Sequence, residues 1–153
     1  MNIRFAAPSE AENLVSLINA AFRVEKFFIE EDRINLNQVL SFFQKGDFLV
    51  AEEDDSFAGC MYVEPRGDRA YLGLLSIDPA RQRGGIGSRM VAFAEDWARQ
   101  KGYRFMDLRI VNLREELPPF YRRLGYVETG TDPFPPGTPT KLPCHFINMS
   151  KPL

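Results

Sequence analysis

Between Leu74 and Met90 the chain reads LLSIDPARQRGGIGSRM, and this stretch restricts the fold more than any other. A short apolar run stops at Asp78-Pro79, and arginines and glycines follow. From Gly85 to about Lys101, Ile86, Met90, Ala94, Trp97 and Ala98 recur at helical spacing, and Gly102 ends the pattern. The next apolar run, YRFMDLRIV from Tyr103, reads as a strand. Strand, helix and strand in this order form a crossover. The two strands should therefore be parallel neighbours, with the helix packed on one face of their sheet.

Around that unit the chain alternates in type. NIRFA reads as a first strand, and Ser9 with Glu12 forms an S-x-x-E capping box for a helix bearing Leu14, Leu17, Ile18 and Ala21. A second helix is predicted from Leu36 to Lys45. DFLVAEE, FAGCMYVEP and AYLGLLSI read as three strands joined by the turns DDS and RGDR, an antiparallel meander. After the crossover, LPPFYRRLG fits a short helix only if its prolines lie in the first turn, with Gly125 closing it. YVETG and CHFINMSK close the chain as strands around TDPFPPGTPTKLP, an irregular loop rich in proline, glycine and threonine. The expected fold is α/β, a mixed sheet with helices on both faces. Residues 1–153 carry no repeat or dividing linker and read as a single domain.

Bulk properties remove several function classes. A net charge of -2 lacks the basic excess of a nucleic-acid binder. No apolar run approaches the roughly 20 residues of a membrane span, and the N-terminus has no apolar signal region. Two cysteines, Cys60 and Cys144, are too few for a disulfide framework, so a reducing, cytoplasmic setting is expected. His145 has no second histidine or cysteine at metal-ligand spacing, so no metal is implied.

The glycines then raise a question of chemistry. A P-loop needs lysine before the hydroxyl residue, and Gly87-Ser88 has none. A dinucleotide fingerprint from Gly85-Ile86-Gly87 would place its third glycine at Met90. Two readings stay open. Backbone N–H groups from Arg83 to Ser88 could converge on a pyrophosphate at a positive helix end, with Arg81, Arg83 and Arg89 adding charge. Alternatively, Gly84, Gly85 and Gly87 serve only close packing.

Gln82-Arg83-Gly84-Gly85-Ile86-Gly87 matches the Q/R-x-x-G-x-G/A acetyl-CoA motif of the GNAT superfamily of N-acetyltransferases. Ile77-Asp78-Pro79 resembles the family's V-x-P, and FYRRLGY resembles its lYeklGF signature further on. The opening IRFAAPSEAENLVSLINAAF is similar to the family's first strand and helix, so the resemblance covers essentially the whole chain. It implies a mixed, mostly antiparallel sheet of six or seven strands flanked by helices and splayed between the fourth and fifth strands.

The resemblance also implies a mechanism. Acetyl-CoA would lie in the splay, its pantetheine against backbone at Leu75, Ser76 and Ile77. Its pyrophosphate would take Gln82, Arg83, Gly84, Gly85, Ile86, Gly87 and Ser88. A neutral primary amine of a small acceptor would attack the thioester directly, and Tyr121 would give a proton to the leaving thiolate; a phenol and a thiol have pKa values close enough for that transfer. An acyl-CoA-binding regulatory domain without turnover is an alternative of another class, and transfer of a different acyl group a third. A homodimer is left open.

Several positions depart from the family pattern. Where an asparagine often stands seven residues before the tyrosine this chain has Arg114, while Asn112, nine before, lies at the end of the fifth strand as the substitute cofactor contact. Where some relatives carry a base glutamate on the fourth strand this chain has Tyr71, leaving Glu64, a water chain or no dedicated base at all for that role. Arg122 and Arg123 are candidates for the cofactor's 3′-phosphate or for the solvated surface. The acceptor is expected near FRVEKFFIEED and the closing loop. There Phe22, Phe27 and Phe28 stand among Glu25, Glu30, Glu31 and Asp32, a setting suited to a cationic amine or to a plain core with solvated acids.

Overall fold

A computed structural model describes residues 1–82 and 84–153; Arg83, a sequence candidate for the anion site, lies outside the described residues. Strands β1 (Asn2–Phe5), β2 (Asp47–Glu53), β3 (Ser56–Arg66), β4 (Arg69–Ile77), β5 (Phe105–Val111), β6 (Val127–Pro133) and β7 (His145–Pro152) form one seven-stranded sheet in the order β1-β2-β3-β4-β5-β7-β6. Every pairing is antiparallel except β4 with β5. That parallel pair flanks helix α3 (Ile86–Gln100), as a crossover requires.

Alternation along the strands supplies two cores. Phe48, Val50, Cys60 and Tyr62 point to the face covered by α1 (Ala11–Ala21) and α2 (Leu36–Lys45). Leu49, Ala51, Met61 and Val63 point to the other face, onto Met90, Val91 and Ala94 of α3, where Tyr121 of α4 (Leu117–Arg123) joins them. A period of two along β2 and β3 against a period of 3.6 along the helices produces this layering. Pro118 and Pro119 stand in the first turn of α4, where a missing N–H costs nothing.

Two local expectations are displaced. The first helix enters through a 3-10 turn at Pro8–Glu10, where the Glu10 carboxylate accepts from the Ala7 N–H at 2.9 Å in place of a box between Ser9 and Glu12. Pro8 is preorganised for the first helical position and starts the turn early, while Arg4 holds the Glu10 carboxylate at 2.7 Å. The closing loop is shorter than the sequence suggests, because β6 runs on to Pro133 opposite His145.

Candidate active site

Strands β4 and β5 pair only at Arg69–Phe105, Ala70–Met106 and Tyr71–Asp107, and beyond these residues they part. The cause is visible on the other edge of β4. Cys60 of β3 faces Ser76 while Tyr62 faces Gly73, so Leu74 and Leu75 together oppose Met61 in a β-bulge. Leu74 adopts φ 55°, a left-handed conformation costly for a leucine. The Ser76 hydroxyl donates to the Leu74 carbonyl at 2.8 Å and closes the bulge. A Cβ at Gly73 would stand 2.9 Å from the Tyr71 ring, so glycine is what lets that ring lie across the strand.

The parted strands frame a cavity of about 730 Å³, bordered by Leu72–Leu75 on one side and Leu108–Val111 on the other. The segment after α1 and the loop after β6 complete its walls through Phe22, Glu25, Arg33, Phe134 and Thr138. These two segments also hold each other: the Lys141 N–H donates to the Phe28 carbonyl at 2.7 Å, and Lys141 Nζ reaches Glu30 at 3.3 Å. Phe134 stacks on Phe146 at 4.8 Å and extends the wall.

On the α3 side lies the glycine turn. Gly85 is the N-cap of α3 with φ 73°, a conformation that favours glycine, and it has no side chain with which to cap this helix end. The first intrahelical bond runs from the Arg89 N–H to the Gly85 carbonyl, so the N–H groups of Ile86, Gly87 and Ser88 have no helical partner among the described residues. A Cβ at Gly85 would meet nothing within 4 Å, and one at Gly87 would meet Phe120 at 3.5 Å and Leu75 at 3.7 Å. The open donors thus adjoin β4 through Leu75, which also borders the cavity. Arg81 turns away, donating to Ser56 Oγ at 2.7 Å, and Gln82 is exposed.

Tyr121 closes the cavity floor with 4% of its surface exposed. Phe120 and Tyr126 hold its ring edge-on at 5.0 and 5.8 Å. Burial pushes its phenol well above the ordinary value, against the opposing charge of Arg114. No hydrogen bond from a described residue acts on the hydroxyl, which borders the cavity.

Glu64, the sequence candidate for a base, and Glu25, one of the acids expected near the acceptor, separate here. Glu64 does not border the cavity; it accepts from the Tyr62 hydroxyl at 2.8 Å and from Arg66. Burial opposes ionisation of Glu64, but these two hydrogen bonds outweigh it and its pKa is lowered. Glu25 does border the cavity, is 7% exposed, and pairs with Arg114 at 3.0 Å. Burial raises its carboxyl above the ordinary value, with Arg114 opposing. Arg114, standing where an asparagine was expected, therefore anchors Glu25. Asn112 Oδ1 accepts from the His145 N–H at 2.8 Å, tying the ends of β5 and β7. Arg122 is paired with Glu128, and His145 is exposed. Among the described residues no cluster of histidine, cysteine, aspartate and glutamate suits a metal ion.

Residues 44–128 match the family described as Acetyltransferase (GNAT) domain. The chain belongs to the GNAT acetyltransferase family. Its fold superposes on ribosomal-protein-alanine N-acetyltransferase from Brucella melitensis with a TM-score of 0.81 at 20% identity, covering 100% of both chains. The PaiA N-acetyltransferase of Thermoplasma acidophilum, solved in complex with coenzyme A, gives 0.81 at 19% identity, again over 100% of both chains. Probable N-acetyltransferase 14 of Xenopus tropicalis is 27% identical over 101 residues, 63% of this chain. The chain spans 49% of that relative's length. No described helix of this GNAT chain is long and apolar enough to cross a membrane.

Proposed function

We propose that residues 1–153 form one N-acetyltransferase domain that moves an acetyl group from acetyl-CoA to a primary amine within a ternary complex. The observation that carries this reading is the placement of Tyr121 at the floor of a cavity opened by the β4–β5 splay, with uncapped helix N–H groups beside it. Acetyl-CoA supplies the activated thioester. Ile86, Gly87 and Ser88 would receive its pyrophosphate, flanked by Gln82, Arg83, Gly84 and Gly85; the glycines leave room for close approach. Backbone at Leu75, Ser76 and Ile77 would pair with the pantetheine. Asn112 keeps its Nδ2 for the same purpose, since only Oδ1 is taken by His145.

The acceptor would enter from the α1–α2 face and meet the thioester at the splay. Its nitrogen attacks the carbonyl carbon, the C–N bond forms, the C–S bond breaks, and the sulfur leaves as thiolate. Tyr121 donates a hydrogen bond to that sulfur and passes it a proton. With its phenol raised by burial above an ordinary thiol, Tyr121 stays protonated through the working pH range and full transfer is uphill, so the thiolate is held first by that hydrogen bond. Glu25 is the carboxylate positioned to take the amine proton, because burial makes it a stronger base than an ordinary glutamate. A cytoplasmic setting agrees with this chemistry and with the buried free thiol of Cys60.

The test combines binding and turnover. Acetyl-CoA should bind in calorimetry, and Gly85→Glu should abolish binding by placing a side chain in the open space of the nest. Thiol release from acetyl-CoA across an amine panel should exceed the acceptor-free rate. Equal binding by the variant would remove the pyrophosphate assignment; binding without acceptor-dependent release would leave a cofactor-binding domain.

A further inference from the structure

The acids expected to attract a cationic amine are largely spoken for. Glu25 holds Arg114, Glu30 faces Lys141 at 3.3 Å, and Asp32 faces Lys26 at 3.2 Å. The cavity wall carries instead two arginines, Arg33 and Arg109, with no ion pair among the described residues. Arg33 comes from the segment before α2 and Arg109 from β5, yet both line one cavity; burial disfavours the charge of Arg33 most and Arg109 adds to that, with Glu25 opposing. Each is backed only by an aromatic ring: Phe22 lies 5.4 Å from the Arg33 guanidinium and Phe146 lies 4.1 Å from that of Arg109. A ring face steadies a guanidinium but leaves its N–H fork unspent. Both side chains are exposed to the cavity rather than packed in the core.

Neither arginine has an ion-pair partner among the described residues, and Glu25, already paired with Arg114, only partly offsets the charge of Arg33, so a bound anion is favoured there. Guanidinium forks match carboxylate and phosphate oxygens in bidentate geometry. Glu25, although paired with Arg114, lies within electrostatic reach of Arg33 and steadies its charge, so the wall sets a carboxylate beside cations for an anion. We propose that Arg33 and Arg109 form an anion subsite and that the acceptor is a small amine carrying its own carboxylate or phosphate. This rests on the acetyl-transfer reading for the amine's role, while the anion subsite stands on the arginines alone.

Matched acceptor pairs test it: L-phenylalanine against phenethylamine, β-alanine against propylamine, and O-phosphoethanolamine against ethanolamine, each followed by thiol release from acetyl-CoA. The first two pairs report on a carboxylate and the third on a phosphate. The anionic member of at least one pair should have the higher kcat/KM, by about 10-fold to 100-fold for a charge-assisted bidentate contact. Arg33→Gln and Arg109→Gln should each shrink that ratio through KM of the anionic acceptor, and Arg109→Lys should retain part of it. In parallel, calorimetry compares N-acetyl-L-phenylalanine with N-acetylphenethylamine, which needs no turnover. Binding of the carboxylate that weakens in both glutamine variants supports the subsite even if no amine is acetylated, an outcome that would sink the transferase reading instead. Turnover that favours the neutral or polycationic amines, or an anion preference surviving in the Arg33→Gln/Arg109→Gln double variant, would overturn the proposal. Melting curves identify any variant that fails to fold, in which case the lysine substitutions at both positions carry the comparison.

Discussion

At the scale of single residues, two side chains carry the proposed reaction. Tyr121 lies in a contiguous motif, FYRRLGY, and so could be read from the chain. Its raised phenol is a property of burial among Phe120, Tyr126 and the strands, which the motif does not contain. Tyr121→Phe should lower kcat by about 100-fold, the lower range for loss of one acid group, while acetyl-CoA affinity measured by calorimetry stays the same. An unchanged kcat would take Tyr121 out of the chemistry. Glu25 was only one acid among four in its segment, and its partner Arg114 is 89 residues away. No local pattern links them; the fold brings them together across the mouth of the splay.

Among elements, α4 matters most because it carries Tyr121. It is seven residues long and ends at Gly125, whose φ of 98° lies in the left-handed range. The Gly125 N–H donates to the Arg122 carbonyl and the Tyr126 N–H to the Tyr121 carbonyl, a helix stop that needs such a residue. Gly125→Ala should cost about 1 kcal/mol from the unfavourable φ, seen as a lower urea midpoint at constant slope. A Cβ there also lies 3.2 Å from Lys151 Cε, the flexible end of a side chain that can yield. Loss of several kcal/mol would mean that Lys151, which also holds Glu95 at 2.9 Å, cannot move. The ends of elements were the least readable feature. Glycine stops such as Gly102 and Gly125 announce themselves, whereas the Ala7–Glu10 cap depends on Arg4 competing for a carboxylate. The bulge at Leu74 was hidden altogether, since a leucine in an apolar run gives no sign of a left-handed backbone.

For the whole molecule, the joint between β1, β2 and the entry to α1 links stability to pH. Arg4, by its side-chain bonds first and with the Ala7 N–H second, holds the Glu10 carboxyl down at about 2 from an ordinary 4.5. A carboxyl depressed in the folded state stabilises it above its unfolded pKa and loses that contribution as pH falls towards the folded value. Stability should therefore decline between pH 4.5 and about 2. The difference in urea midpoint between the wild type and Arg4→Met should be largest near neutral pH and shrink through that window. A difference that grows on acidification would show that the joint does not act through Glu10.

The sequence by itself determined the layers and the crossover, because hydrophobic period and proline–glycine punctuation are local and survive without partners. It also marked the proposed donor side, where Gly84 to Ser88 and Tyr121 sit in contiguous motifs. Only the tertiary structure brought together the residues of the proposed acceptor side. Whether Arg33, Arg109 and Glu25 meet depends on a bulge that parts two strands and on loops that clasp each other, and such long-range geometry leaves no periodic trace in the chain.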